Sequence, residues 1–371
     1  MKMIMPQRIL LRLFCAQNSW AVRSFLMPQL CFSGIAEVML KEKTGFNLKG
    51  MVITMITNEK NIMRVSEVQR ERYTLIGKMG EIGAKLKGNL HNSGEFPVVG
   101  DYVEIIFNPY GDSLIEKILE RKTYLSRPDR SGHADGYVKT LVEQPMAANF
   151  DYVFIVTSLN QNFNAGRIAR YIAVTIQGGG IPVVVLSKAD LCDDVDKYIA
   201  EVKSISDKTD VIAVSSVTGE GMSVLQKYFK SGVTIALIGS SGVGKSTMLN
   251  AVAGREVMKT SGIREDDGKG RHTTTYRHLF VLDNGVTIID TPGMREIGVC
   301  GIDEGIDDTF SDITELFSQC RFSNCRHDTE PNCAVKKALE TGELSEKRWR
   351  LYQRLYDENF KAKRMKAGYR K

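Results

Sequence analysis

The sequence predicts a multidomain protein with three parts: an N-terminal β-barrel of the OB-fold type, a central α/β domain built on a P-loop, and a C-terminal, mainly helical domain that binds zinc. Three observations predict this. Short strands separated by turns run through residues 62–124, a complete phosphate-binding loop occupies 239–246, and three cysteines and a histidine cluster within 320–333. At 371 residues the chain is long enough for a sizeable core divided among several domains.

Residues 1–61 are expected to form an N-terminal extension. The first acidic residue is Glu37, and three arginines precede it among apolar residues, a composition compatible with a targeting peptide. No apolar run approaches the length of a membrane span, so no membrane association is expected. We favour the alternative that the extension is a disordered tail or an artefact of an upstream start site.

The OB barrel is expected over residues 62–124. Several short runs of strand-forming residues, separated by Asn, Pro and Gly turns, fit a small barrel of this kind. The strands are expected at 72–76, 82–88 and 101–107. The polar, glycine-containing stretch 121–143 is expected to be a linker and loop.

The central domain, expected at 125–300, contains the P-loop. An apolar, β-branched run at 233–238 predicts a buried strand, and a helical segment follows the glycine-rich loop directly. The glycines let backbone N–H groups turn inward on phosphates. Lys245 is expected to reach the β- and γ-phosphates as a catalytic group, and Ser246 to bind Mg²⁺. The expected phosphate-binding residues are Gly239, Ser240, Ser241, Gly242, Val243, Gly244, Lys245, Ser246 and Thr247.

A second element of the nucleotide site is expected at Asp290. Two apolar runs around Asn284-Gly285 predict a hairpin, and its second strand ends at Asp290. The carboxylate is expected to meet Mg²⁺ through water, and Gly293 to donate its N–H to the γ-phosphate. In isolation Asp-Thr-Pro-Gly would be a plain turn, but its place after a P-loop favours a switch.

A mobile loop between these motifs is expected to supply a threonine hydroxyl to Mg²⁺. Three consecutive threonines lie at 273–275, and the sequence does not decide among them; Thr274 is our choice. His272 is the candidate to orient the attacking water, with a loop histidine of no catalytic task as the alternative. Met294 follows Gly293, where Ras-like enzymes carry a water-orienting glutamine. Because a thioether orients water poorly, low intrinsic hydrolysis is expected.

The base-reading element is expected at the end of another buried strand, 181–186. The residues concerned are Ser187, Lys188, Ala189 and Asp190. A carboxylate at the fourth position accepts hydrogen bonds from guanine N1–H and the 2-amino group, which adenine lacks, so Asp190 favours GTP over ATP. Ser187 departs from the commoner Asn or Thr. Ser215 and Ser216 end the next strand and suit a backbone contact to guanine O6.

The order of these motifs is itself informative. An ordinary GTPase carries the P-loop first, then the switches, then the base reader. Here the base reader at 187–190 precedes the P-loop at 239–246. The sequence therefore predicts a central α/β P-loop GTPase domain with circularly permuted motif order.

The C-terminal cysteines and histidine have the spacing of a metal site. The predicted ligands are Cys320, Cys325, His327 and Cys333. Three thiolates and one imidazole complete a tetrahedral zinc shell with no open position, which indicates a structural role. The segment is polar and rich in turns, so it has little apolar core to fold around without metal. Reduced cysteines near a histidine by chance are the alternative. A disulfide is disfavoured, because the remaining cysteines are scattered and a GTPase of this kind is cytosolic.

The charge of the chain is concentrated at its end. The formal net charge is +6, and residues 347–371 contain ten Lys or Arg against two acids, interleaved with aromatic residues at near-helical spacing. A basic helix with an aromatic face suits RNA phosphates. The alternative is a terminal helix that packs its apolar face on its own domain, and both can hold at once.

Taken together, these motifs resemble the bacterial ribosome small-subunit-dependent GTPase family, RsgA, also called YjeQ. The resemblance covers about residues 62–371 and is carried by the permuted order, Gly270-Arg271-His272-Thr273-Thr274-Thr275, Asp290-Thr291-Pro292-Gly293 and the Cys/His spacing. It implies an OB-fold, a permuted G domain and a C-terminal zinc domain, expected at 301–371. Ser187 and the long N-terminus depart from the family pattern.

The resemblance also implies a function. A GTP hydrolase of this family binds the 30S ribosomal subunit and its 16S rRNA, assists late maturation of the subunit, and is stimulated by it. The expected cofactors are one structural Zn²⁺ and Mg²⁺ with GTP or GDP, and the expected protein is a cytoplasmic monomer. The alternative is an rRNA-binding assembly factor that uses GTP as a binding switch with little turnover. An ATPase is disfavoured by Asp190.

Overall fold

The computed structural model describes residues 61–88, 90, 95–129, 142–160, 162–258, 277–291 and 298–368. Apart from Asn61, the expected N-terminal extension lies outside them.

The first five strands close into a barrel. They are β1 (Asn61–Gln69), β2 (Arg72–Gly77), β3 (Gly80–Leu86), β4 (Tyr102–Ile106) and β5 (Ser113–Ile118). The strand order is β1–β2–β3–β5–β4, and β4 pairs back onto β1; β3 and β5 are parallel, and the other pairs antiparallel. Alternate residues such as Val65, Leu75 and Ile115 fill the interior. The predicted N-terminal barrel is confirmed.

A two-stranded sheet follows the barrel, formed by β6 (Tyr124–Asp129) and β7 (Val142–Ala148). The prediction of a linker and loop over 121–143 is therefore wrong at both ends of that stretch. Each strand carries a proline, Pro128 and Pro145, and a proline within a run argues against a strand. Among the residues that the structure describes, no further strand pairs with either of the two, so neither proline interrupts a longer ladder there.

The central domain is a six-stranded sheet. Its strands are β8 (Tyr152–Ser158), β9 (Ile181–Ser187), β10 (Asp210–Val214), β11 (Thr234–Ile238), β12 (His278–Val281) and β13 (Thr287–Asp290). The order is β10–β9–β8–β11–β13–β12, parallel except for β12. The hairpin expected around Asn284-Gly285 is β12–β13. Parallel strands place their carboxyl ends at one edge of the sheet, where ligands bind in such folds.

Helices cover both faces of this sheet. They are α1 (Ala165–Gln177), α2 (Val195–Lys203), α3 (Met222–Leu225) and α4 (Lys245–Ala253). One face packs against α1 and α2, and the other against α3 and α4, in two separate apolar cores. The central domain is thus a three-layer α/β domain with the P-loop between β11 and α4.

The C-terminal domain is helical, as predicted. Its helices are α5 (Asp303–Thr309), α6 (Ser311–Phe317), α7 (Ala334–Thr341) and α8 (Glu346–Gly368). They join the same core as α1, and a Cβ on Gly305 of α5 would lie 2.0 Å from the carbonyl oxygen of Ala173 in α1. Only glycine allows this approach, so the C-terminal domain packs directly on the nucleotide-binding domain. No helix in the described part of the chain is long and apolar enough to cross a membrane.

The barrel is joined to the central sheet by backbone and side chain. Strand β1 pairs with β12, with Glu67 opposite His278. Arg64 on β1 is buried and donates to Gly100 O, to Thr234 Oγ1 at the start of β11, and to Asn149 O at 2.6 Å. Its guanidinium also lies over the Tyr102 ring. Burial lowers the pKa of Arg64, so these contacts must offset the desolvation of its charge.

Replacing Arg64 by alanine is expected to lower the free energy of unfolding by about 3 kcal/mol, because three acceptors at the interface lose a charged donor. The thermal unfolding midpoints of Arg64→Ala and of the control variant Arg72→Ala test this. Arg72→Ala is the matched control, since Arg72 lies in the same barrel with 65% of its side chain exposed, and a surface substitution there costs about 0.5 kcal/mol or less. Equal unfolding midpoints for the two variants would contradict the role given to Arg64.

Candidate nucleotide and metal sites

The P-loop wraps between the end of β11 and the start of α4. Gly239 has φ 148°, and a Cβ there would lie 2.3 Å from the carbonyl oxygen of Val156 on β8. Gly244 has φ 89° and caps α4. Both positions therefore require glycine. The result is a backbone cradle at a helix N-terminus, an arrangement that binds phosphate.

Lys245 and Asp290 face each other across this cradle. Lys245 Nζ donates to Gly239 O at 2.8 Å and to Ser240 O at 3.0 Å. Burial lowers the pKa of Lys245, and burial raises the pKa of Asp290, each opposed by the charge of the other. Asp290 Oδ1 is buried and has no hydrogen-bond partner among the described residues. A buried, unsatisfied carboxylate oxygen beside the P-loop fits a Mg²⁺ ion and its water ligands.

The predicted base reader adjoins the P-loop. Ser187, at the end of β9, is buried, and its hydroxyl donates to Val243 O of the P-loop at 2.6 Å. Lys188 adopts a left-handed conformation, φ 59°, and Asp190 is exposed in the short helical turn that follows. The hydrogen bond from Ser187 thus connects the predicted base-reading segment directly to the P-loop.

Ser215 and Ser216, the two serines predicted to contact the base, lie in the loop after β10. The hydroxyl of Ser215 accepts from the N–H groups of Val217 and Thr218, and its own N–H donates to Glu220 O. Its carbonyl oxygen accepts from the N–H of Gly219, so all three polar groups of Ser215 are used inside the loop. The backbone contact to guanine O6 expected of Ser215 and Ser216 stays a prediction.

Three predicted site residues and Met294 lie in parts of the chain that the structure does not describe. The three site residues are His272, Thr274 and Gly293. Their roles stay predictions.

One P-loop contact was missed by the sequence analysis. Arg167 on α1 donates from one guanidinium nitrogen to Ser240 Oγ at 3.0 Å and from the other to Asn162 O at 2.6 Å. Arg167 precedes Ser240 by 73 residues, and no local pattern links the two. Only the packing of α1 on β8 and β9, with β11 paired to β8, brings them together.

The four predicted metal ligands converge. The ligand atoms of Cys320, Cys325, His327 and Cys333 all lie within 4.8 Å of one another. His327 Nδ1 is 3.6 Å from Cys320 Sγ and 3.4 Å from Cys333 Sγ, and these two sulfurs are 4.0 Å apart. In a tetrahedral zinc site such atoms lie roughly 3.5–3.8 Å apart, given the usual bond lengths. The cluster therefore fits a metal of this type.

Burial in the cluster shifts the pKa values of two of these side chains. Burial, together with the neighbouring thiols, raises the pKa of Cys325 to about 11 without a metal charge. Burial lowers the pKa of His327, which favours the neutral imidazole that binds metal. Glu330 accepts from the N–H groups of Arg326 and Asp328, and such backbone bonds lower its pKa to about 2. The carboxylate of Glu330 thereby shapes the loop that carries the histidine.

The metal cluster supports α8 through aromatic packing. The His327 ring stacks on Phe317, with centroids 4.4 Å apart, and meets Trp349 of α8 edge-on at 5.8 Å. Trp349 in turn stacks on Tyr352 at 5.5 Å. A metal bound at His327 would therefore be linked to the position of α8 through these ring contacts.

A P-loop, an aspartate at the end of β13 and the predicted base-reading segment lie at one edge of a parallel sheet. Because that segment precedes the P-loop in the chain, this arrangement defines a circularly permuted P-loop GTPase. The model of the RsgA GTPase family matches residues 118–300, and the chain is 45% identical to small ribosomal subunit biogenesis GTPase RsgA 1 of Listeria monocytogenes over 285 residues, 76% of this chain and 79% of that protein. The protein belongs to the RsgA GTPase family and is a GTP-hydrolysing enzyme.

Further relatives and solved structures agree with this family assignment. The RsgA protein of Methanosarcina acetivorans is 42% identical over 289 residues, 77% of this chain and 76% of its own. YjeQ from Thermotoga maritima superposes with a TM-score of 0.59 at 29% identity, covering 80% of this chain and 97% of that one. YloQ, a circularly permuted GTPase, has a TM-score of 0.56 at 22% identity, covering 81% and 96%, and supports the fold. The family resemblance and the permuted fold predicted from the sequence are confirmed.

Asp190→Asn is expected to lower GTP affinity by roughly 10²-fold, because two charge-assisted hydrogen bonds to the guanine edge are lost. XTP should bind relatively better, since an amide can donate to the xanthine 2-oxo group. Competition of GTP and XTP against a fluorescent GDP measures both effects. Asp193→Asn is the control, with the same change of charge at an exposed position in the same loop. Unchanged guanine selectivity in Asp190→Asn would remove this residue from base reading.

Proposed function

We propose that this protein is a GTP hydrolase that binds the 30S ribosomal subunit and assists its late maturation, with turnover stimulated by the subunit. Support comes from family membership, since relatives at 38–45% identity are named small ribosomal subunit biogenesis GTPases. The direct packing of the C-terminal domain on α1, which contacts the P-loop through Arg167, offers a route between a ribosome-facing domain and the nucleotide.

In the proposed reaction, the chain positions GTP and a water and stabilises the transferred charge. Lys245 neutralises the β- and γ-phosphates. Ser246, Asp290 and a switch threonine, Thr274 in our choice, would hold Mg²⁺. When bound, this ion supplies positive charge to the phosphate oxygens as the bond to the leaving group weakens. Gly293 is proposed to donate its N–H to the γ-phosphate, and His272 to orient the water.

The metal in the C-terminal domain is proposed to be zinc, one ion per chain, in a structural role. Three thiolates and one imidazole are a donor set that zinc prefers, and they leave no position open for a substrate. The protein is proposed to act in the cytoplasm as a monomer, with 16S rRNA as its contact on the subunit.

The rRNA contact is proposed to use part of α8. Trp349, Tyr352 and Leu355 are buried against the protein's own core, so the packing role weighed above also holds. Several of its cations are engaged within the protein, namely Lys347 with Glu201, Arg348 with Asp312, Arg350 with Glu346 and Lys363 with Asp303. Truncation at Lys347 would therefore unfold the domain, and substitutions of outward-facing cations are the better test.

The decisive experiment measures GTP turnover with purified 30S, 50S and 70S particles. We expect at least about tenfold stimulation by 30S alone, a change of about 1.4 kcal/mol in the barrier. His272→Ala is expected to lower the stimulated rate by roughly 10²-fold while 30S affinity stays the same. Normal stimulated turnover in that variant would exclude His272 from catalysis.

The alternative function, an rRNA-binding assembly factor that uses GTP as a switch, follows from Met294 in place of a water-orienting glutamine. It predicts no stimulation by any particle, together with tighter 30S binding in the presence of a GTP analogue than with GDP. The proposed hydrolase would be rejected by that combination.

A further inference from the structure

A groove of about 390 Å³ lies between the first turns of α1 and the middle of α8. It adjoins the P-loop through Arg167, which contacts Ser240, and none of the four predicted metal ligands lines it. Gly166 of α1 lines it, and a Cβ at this position would lie 3.8 Å from Leu351 of α8, so the two helices approach closely at this point. The groove is therefore formed jointly by the C-terminal domain and the nucleotide-binding domain.

The polar lining of the groove is strongly basic. Arg167 and Arg170 project from α1, and Arg354 and Glu358 from α8. Three guanidinium groups therefore face one carboxylate. Glu358 is engaged with Arg170, at 2.6 Å, which leaves an excess of positive charge.

Two of the arginines are held in place, and hydrogen-bonding capacity remains. Arg167 is fixed by Ser240 Oγ and Asn162 O. Arg170 is fixed by Glu358, yet its Nε is buried and has no hydrogen-bond partner among the described residues. Arg354 has no hydrogen bond or ion pair with any residue that the structure describes. Donors fixed before binding lose little freedom when an acceptor arrives.

We propose that this groove is a phosphate-binding site, in which Arg354 and Arg170 donate to one phosphate group beside Arg167. The planar guanidinium fork matches the oxygens of phosphate and binds them in pairs. A phosphate is also complementary to the excess positive charge of the lining, whereas a cation or an apolar ligand is not.

The phosphate group has two possible sources, a phosphodiester of RNA or a free phosphorylated small molecule. The RNA source rests on the proposed 30S function and would make the groove an rRNA contact shared by two domains. The free source would make it a regulatory site. Both share the chemistry of the groove, and the experiment below separates them.

The test uses the full-length protein loaded with GDP and Mg²⁺, so that the P-loop is filled. Binding of inorganic phosphate is measured by calorimetry, and binding of 30S subunits is measured across a salt series. Arg354→Gln removes the free guanidinium. Arg364→Gln is the matched control, since Arg364 lies on α8 over the exposed Phe360 ring and outside the groove. Glu358→Gln removes the carboxylate, and GDP affinity reports folding in every variant.

We expect Arg354→Gln to weaken phosphate binding at least about tenfold, Glu358→Gln to tighten it, and Arg364→Gln to leave it unchanged. With RNA as the source, Arg354→Gln also weakens 30S binding and lowers the salt slope by roughly one phosphate contact, beyond the effect of Arg364→Gln. Loss of phosphate binding with unchanged 30S affinity supports the site with a free ligand as the source.

Phosphate binding that is unchanged in Arg354→Gln, or weakened equally in Arg364→Gln, overturns the proposal. If the wild-type protein does not bind 30S at all, the proposed function fails, and the phosphate arm alone still decides whether the groove is a site.

Discussion

Lys245→Ala is expected to lower GTP turnover by roughly 10²–10³-fold or more, the scale on which removal of one preorganised group from a charged transition state is felt. In the structure the ammonium lies within the loop, on Gly239 O and Ser240 O, and opposite Asp290. When GTP binds, the phosphates become its partners. Because the site is buried, no solvent cation replaces the missing charge at low cost.

Single-turnover release of phosphate is the measurement, with the circular dichroism spectrum and the thermal unfolding midpoint as the checks on folding. Lys230→Ala is the control, because Lys230 is an exposed lysine outside the cradle. Turnover within about threefold of wild type in Lys245→Ala would mean that the P-loop assignment is wrong, since a loss of 1.4 kcal/mol already gives tenfold.

Cys333→Ser is expected to lose the bound metal and to destabilise the C-terminal domain. Zinc binding to small Cys/His sites contributes on the order of 10 kcal/mol, comparable to the whole stability of a domain. Cys333 is the most buried of the four ligands and is the N-cap residue of α7. Loss of the metal releases His327 from its place between Phe317 and Trp349, and with it the first turns of α8.

Elemental analysis of the wild type should find one zinc per chain, and the variant should contain none. Fluorescence of Trp349, followed in a Trp20→Phe background because the chain has two tryptophans, should report greater solvent exposure in Cys333→Ser. Cys192→Ser, a cysteine outside the cluster, should keep both metal and spectrum. A wild-type protein that contains no metal and has the same unfolding midpoint as Cys333→Ser would refute the site.

The features predicted well from the sequence depend on short stretches of chain. Strand β11, the P-loop and α4 follow one another within 234–253, and β12 and β13 are joined by the turn expected at Asn284-Gly285. The metal ligands span fourteen residues, 320–333. In each case the geometry is a property of neighbouring residues, through glycine conformation, hydrophobic run or ligand spacing, so one sequence is enough to predict it.

The features predicted poorly were of two kinds. Strands β6 and β7 contain prolines, which local rules count against a strand, and their pairing with each other outweighs that preference. The cations of α8 form one basic run in the sequence. Arg348, however, forms an ion pair with Asp312 and donates hydrogen bonds to Ser204 O and Ile205 O. A charge pattern indicates that a helix is basic, but its neighbours in space decide which charges remain free.

By itself, therefore, the sequence determined the class of protein: a permuted P-loop GTPase with an N-terminal barrel and a Cys/His metal site, because each motif is local and their order can be read along the chain. Only the tertiary structure decided how these parts are connected. Ser187 bonds the P-loop 56 residues away, Arg167 bonds Ser240 across 73, and Arg64 bonds Thr234 across 170. Such contacts leave no local pattern, because they arise when strands and helices distant in sequence pack on one core and bring single side chains within hydrogen-bonding distance.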